Sequence, residues 1–69
     1  MKKSKNKLTV QEQKICELIL KGLNNKEIRN ILYIAKGTLD NHIKHIYEKK
    51  GVSNRIELIR KYYEEKVHV

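Results

Sequence analysis

Residues 24–51 read NNKEIRNILYIAKGTLDNHIKHIYEKKG, two apolar stripes of helical period separated by a three-residue interruption. The first stripe, Ile28, Ile31 and Leu32, recurs at the i, i+3, i+4 spacing of one helix face. Ahead of it, Asn24-Asn25-Lys26-Glu27 has the form of a capping box: the asparagine side chain accepts from the third helical N–H, and the glutamate reaches back to the cap. Tyr33-Ile34-Ala35 breaks the stripe. Leu39, Ile43 and Ile46 then begin a second one that runs to Gly51, a residue suited to a left-handed stop. The pattern predicts a short helix, a connection of about three residues and a longer helix over about 36–50. The start of the longer helix is weakly specified, because Ala35 has no side-chain oxygen to accept a backbone N–H and Gly37 adds entropy to the first turn.

Working outward, Thr9-Val10-Gln11-Glu12 is a second capping box, followed by Ile15, Leu18 and Ile19 at helical spacing and by Lys21-Gly22 as a cationic last turn and stop. On the other side, Ser53-Asn54 with Glu57 opens a fourth helix through about Lys66. In it, Ile56, Ile59 and Tyr63 are expected to face the core, which leaves Leu58 and Tyr62 as a second apolar stripe for a partner. Residues 1–7 contain four lysines and nothing to pack, and are read as a flexible basic arm ahead of one domain, 8–69. With no proline and three glycines, the expected fold class is all-α, a compact four-helix bundle containing a helix-turn-helix.

Composition excludes several functions. A chain of 69 residues buries only roughly 60% of its unfolded surface, too little for both a core and a deep substrate cleft. No apolar run approaches the ~18 residues of a membrane span. MKKSKNK lacks the apolar stretch that would make it a signal peptide, and the single cysteine forms no internal disulfide, so the cytoplasm is the expected compartment. No Ser/His/Asp set, paired carboxylates or glycine-rich phosphate loop occurs, so no enzyme is expected. His42, His45 and His68 with Cys16 lack zinc spacing, and neither metal nor cofactor is expected. Sixteen Lys and Arg against eight Asp and Glu give a net charge of +8, concentrated on the arm and around the second and third helices. That is the footprint expected for phosphate, although a lysine-rich solubilising surface has the same composition.

Leu8-Thr9, Gly22-Leu23-Asn24-Asn25-Lys26-Glu27-Ile28, Ile34, Thr38, His42, Ile46, Lys49, Gly51-Val52 and Asn54-Arg55 occur in one ungapped register over about residues 8–60. In these positions the chain resembles the LuxR/GerE-type helix-turn-helix domain, and most of all the stand-alone GerE-like regulators, or else a domain excised from a longer regulator. The resemblance implies a bacterial DNA-binding transcriptional regulator whose third helix enters the major groove and whose fourth helix dimerises. Gln11, Arg29, Ala35, Asp40 and Lys50 differ from residues common in the family.

By resemblance, Asp40, Asn41 and Lys44 are the base-reading residues, on the side of the third helix opposite Leu39, Ile43 and Ile46. Their chemistry suits base readout, since Asn pairs with adenine, Lys with guanine, and Asp accepts from cytosine N4. Lys26, Lys36, Thr38 and Lys49 are expected at phosphates, with Asn25 adding backbone N–H groups. An ordinary solvated helix face is the alternative for all of these. His42 is expected at the edge of the core, His45 outside and Cys16 inside. Leu58 and Tyr62 are the expected homodimer contact. The expected partner is double-stranded DNA, with RNA polymerase a further one. The alternative function is a helical protein-interaction module of the same fold that binds a regulator or the polymerase.

Overall fold

A computed structural model of the chain describes residues 7–66, which form four helices: α1 (Val10–Leu20), α2 (Asn25–Leu32), α3 (Lys36–Lys50) and α4 (Arg55–Lys66). The described residues contain no strand. The expected arm, apart from Lys7, lies outside the described residues, as do positions 67–69 of the expected domain.

Local chemistry sets the boundaries. Both predicted capping boxes are closed in both directions: Glu12 N–H donates to Thr9 Oγ1 (3.1 Å) and Thr9 N–H to Glu12 Oε1 (3.0 Å), and the Asn24/Glu27 pair does the same at 2.9 Å each way. α4 is capped by Asn54 Oδ1, which accepts from Glu57 N–H at 2.9 Å, while the Glu57 carboxylate reaches to Ser53 N–H at 2.7 Å. α1 and α3 are followed by glycine at positive φ, Gly22 at 94° and Gly51 at 71°, where a side chain would be strained. Behind them, Leu23 N–H donates to Leu18 and Val52 N–H to Tyr47, closing the orphan carbonyls. α3 begins at Ala35 without a side-chain cap, as its sequence implies. Unforeseen is Tyr33, 93% exposed, which ends α2 in the left-handed region (φ 58°), a conformation that costs an L residue about 1–2 kcal/mol.

α1 is the hub, packed on each of the other three helices and most extensively on α3, while α2 also packs on α3. The core is Ile15, Cys16, Ile19, Ile28, Leu39, Ile46 and Leu58, with Leu18, Leu32, Ile43, Val52 and Ile59 closing it from outside. Cys16 is the small core residue expected of it, and burial pushes its thiol up from the ordinary value. Leu58 corrects the reading of α4. It is 1% exposed and belongs to the core of its own chain, whereas Ile56 and Tyr63, expected inside, are 70% and 53% exposed. The periodicity allowed two rotations of α4 about its axis, and the one adopted points Leu58 at the core.

One charged residue lies inside. Glu12 is 3% exposed; besides closing the α1 cap, its Oε1 accepts from Lys49 Nζ on α3 at 2.7 Å, and its Oε2 lies 3.9 Å from His45 Nδ1. Burial alone would push the carboxyl up, but the Lys49 ammonium and the Thr9 N–H outweigh it and hold the group below its ordinary value. A carboxyl lowered on folding stabilises the protein above its unfolded value of about 4.5, and that contribution is lost as pH falls through the lower folded value. The wild-type melting temperature should therefore fall steeply below about pH 4.5, and Glu12→Gln should flatten that part of the profile. At pH 7 the same variant should lose about 3 kcal/mol, as expected for breaking a buried pair, or at least about 10 °C in melting temperature. Thermal denaturation of both proteins from pH 3 to pH 7 measures this, and parallel profiles would show that the ion pair does not stabilise the fold.

Candidate nucleic-acid interface

The surface of interest follows from which residues of α3 are consumed by the core. Leu39 and Ile46 are fully buried and Ile43 is half-buried, so the helix has one orientation available to it. Asp40, Asn41 and Lys44 lie on the exposed side, together with Lys36, Gly37 and Thr38 in the first turn. The three residues expected to read bases are thus brought onto one solvent-facing surface. The turn 33–35 is short, so the start of α3 follows directly on the end of α2.

At the start of α2, Asn25 and Lys26 are both exposed, beside a cap whose N–H groups are already partly satisfied by Asn24 and Glu27. Thr38 is exposed and near the start of α3. His42 is half-buried at the edge of the core and His45 has a side chain 54% exposed, as expected of each.

Two of the expected phosphate residues are engaged within the chain. The Lys49 side chain is 24% exposed and bonded to the buried Glu12 carboxylate, so releasing it would strand a charge in the interior. Its ammonium fixes α3 against α1 instead of facing solvent. Lys36 is bonded to Asp40, Nζ to Oδ2 at 3.0 Å, in an exposed pair one helical turn apart. Of the expected dimer residues, Leu58 is buried in its own chain, and Tyr62 is half-buried with its ring edge-to-face against Tyr63 at 5.8 Å between centroids.

Sequence reading missed the residues that act at a distance along the chain. Glu12 was legible as a cap but not as the partner of Lys49, 37 residues away. Arg55 was legible only as part of a motif; its guanidinium donates to the Leu23 carbonyl and ties the start of α4 to the loop before α2. A half-buried arginine beside a glycine-terminated loop gives no periodic signal that would have shown this.

Among the described residues no three His, Cys, Asp or Glu side chains converge as a ligand set, and no helix is long and apolar enough to cross a membrane. The arrangement offers an exposed helix face bearing hydrogen-bond donors and acceptors, flanked by cations, on a helix fixed from behind by its core.

The family model described as "Bacterial regulatory proteins, luxR family" (GerE) matches residues 6–62. The chain is 48% identical over 54 residues to the transcriptional regulatory protein DesR of Bacillus subtilis, covering 78% of this chain and 27% of that protein. It is 42% identical over 57 residues to the uncharacterized response regulatory protein YgeK of Escherichia coli, covering 83% of this chain and 39% of that protein. A putative HTH-type transcriptional regulator of Mycobacterium bovis, Mb0914c, is 35% identical over 52 residues, 75% of this chain but only 6% of its own length. The chain thus spans well under half the length of these relatives. No solved structure matches it. A match that starts before α1 and reaches into α4 leaves one conclusion: the chain belongs to the luxR family of bacterial regulatory proteins, as a DNA-binding helix-turn-helix domain of transcriptional regulators.

Proposed function

We propose that this domain binds a specific duplex sequence by setting α3 into the major groove, with Asp40, Asn41 and Lys44 on base edges and Asn25, Lys26 and Thr38 on phosphates, and that residues 1–7 act as a basic arm that adds phosphate contacts. The observation that supports it best is the single orientation of α3: Leu39 and Ile46 turn inward, while Asp40, Asn41 and Lys44 are exposed and chemically suited to base edges. No catalytic role is assigned, and the cytoplasm is the compartment that fits a regulator of bacterial DNA. Contact with RNA polymerase would use the surfaces that α3 and α4 leave open.

About six phosphates neutralised per domain would give a slope near −5 in log affinity against log salt. Deleting residues 1–7 should flatten that slope. A flat dependence in the intact chain would overturn the DNA reading in favour of a protein-interaction module.

Base and phosphate contacts separate in a second experiment. Asn41→Ala and Lys44→Ala should change which duplexes are preferred, each removing about 1–3 kcal/mol of discrimination. Lys26→Ala should weaken all duplexes alike and reduce the salt slope by about one. Selection from random duplexes with each protein measures both effects, and a uniform loss in all three variants would remove α3 as the reader.

A homodimer through α4 fits the exposed apolar side of that helix. Ile56 and Tyr63, seven residues apart, share a face with half-buried Ile59 between them, and a second copy would cover the same patch symmetrically. Tyr62, in ring contact with Tyr63, belongs to the border of this contact, and Leu58 supports it from below. Two copies would set their α3 helices about 34 Å apart, one DNA turn, on an inverted repeat. Ile56→Glu with Tyr63→Glu should keep helical content and melting temperature, abolish dimerisation and weaken a two-site operator far more than a half-site. Leu58→Glu should instead unfold the domain. Sedimentation read beside circular dichroism distinguishes the variants, and a wild type that stays monomeric on an inverted repeat would refute the interface.

A further inference from the structure

Lys36, Asp40 and Lys44 stand four residues apart and make one exposed stripe along α3, with Asn41 beside it. Within the stripe, Lys36 Nζ lies 3.0 Å from Asp40 Oδ2, and the two side chains are 75% and 49% exposed. Stability does not account for this pair. Exposed ion pairs contribute little, the lysine-first order is the weaker of the two along a helix, and a lysine in the first turn opposes the helix dipole. What the pair does provide is a donor and an acceptor side by side, with no net charge, on the face assigned to the groove. A lone carboxylate there would be repelled by the phosphates; with Lys36 attached that repulsion is offset.

The major-groove edge of a C·G pair is complementary to this arrangement. Cytosine N4 donates and guanine O6 accepts, and the two atoms lie about 2.9 Å apart because they are hydrogen-bonded to each other. We propose that Lys36 and Asp40 jointly read one C·G pair, Asp40 accepting from cytosine N4 and Lys36 donating to guanine O6. Lys36 is then a specificity-determining residue rather than a phosphate contact. The inference rests on the reading that α3 occupies the major groove of duplex DNA.

Reversing that base pair to G·C exchanges donor and acceptor without changing duplex composition. Duplexes are first selected with the intact wild-type chain, and the selected C·G position is then reversed. Reversal should weaken wild type about tenfold or more, the discrimination of one well-matched pair. Lys36→Met and Asp40→Ala should each reduce the preference at that position to about threefold or less while keeping preferences elsewhere. The double exchange Lys36→Asp with Asp40→Lys should invert it, so that G·C is favoured. Both side chains are exposed, and unchanged circular dichroism verifies that each variant is folded. If wild type selects a sequence but no C·G position responds to these two residues, or if Lys36→Met weakens every duplex equally, joint readout is wrong and groove binding by α3 stands. If wild type binds no duplex at low salt, the underlying reading fails and takes the inference with it.

Discussion

The carboxylate of Glu12 is the point on which the arrangement of α1 and α3 depends. An ionised carboxyl inside a protein costs several kcal/mol in lost hydration unless its oxygens are satisfied. Here Oε1 takes both the Thr9 N–H that completes the α1 cap and the Lys49 ammonium from α3. Because the same group serves both contacts, the start of α1 and the last turns of α3 are held in one relative position. The apolar layer of Ile15, Ile19, Leu39 and Ile46 makes the two helices adhere and fixes which side of α3 turns inward. A directional, charge-assisted bond at one end adds to that constraint. The rotation of α3 decides whether Asp40, Asn41 and Lys44 face solvent together, and the buried stripe with the Glu12 bond behind it holds that rotation.

Internal pairing also redistributes the charge that composition alone counts. Lys49 is committed to Glu12, Lys50 lies 3.7 Å from Glu65, Arg55 is bonded to a loop carbonyl, and Lys36 shares its charge with Asp40. The field around the described part of the domain is therefore less positive at α3 than a count of lysines suggests. Long-range attraction to a polyanion falls more heavily on exposed cations such as Lys26 and Lys44 than on the paired ones.

The helices, their caps and most of the core were legible from the chain because each is written locally. A threonine or asparagine three residues before a glutamate fixes a start, a glycine fixes a stop, and an i, i+3, i+4 stripe fixes the buried side. Legibility failed where two local solutions had similar merit. In α4 the residues Ile56, Leu58, Ile59, Tyr62 and Tyr63 supply two apolar stripes, and periodicity cannot choose between them. The choice is made by tertiary packing: α4 packs on α1, and Leu58 is buried in the shared core. It also failed for pairs distant in sequence: nothing near Lys49 distinguishes it from Lys44, yet one is held by a buried carboxylate and the other is exposed. The outer face of α3 was legible for the converse reason, since its exposure follows from the stripe on the opposite side.

The two ends of α3 are secured very differently. Its last turns have the Lys49 bond to Glu12, the buried Ile46 and the Gly51 stop with Val52 N–H on the Tyr47 carbonyl. Its first turn has an uncapped Ala35, a glycine at position 37 and, just before it, a tyrosine held in the left-handed region. Leu39 is the one fully buried side chain of its first two turns, with Ile34 and Ile43 partly buried beside the core. Local opening free energies follow buried apolar contact and satisfied backbone groups, so the end that bears Lys36 and Asp40 is the easier to adjust, and the end fixed by Glu12 the harder. A recognition helix built this way keeps its approach direction from the protein while its leading turn can settle against the edges it meets. Strengthening the leading turn would stabilise the helix without changing its aim, because the aim is set by the buried stripe and the fixed last turns.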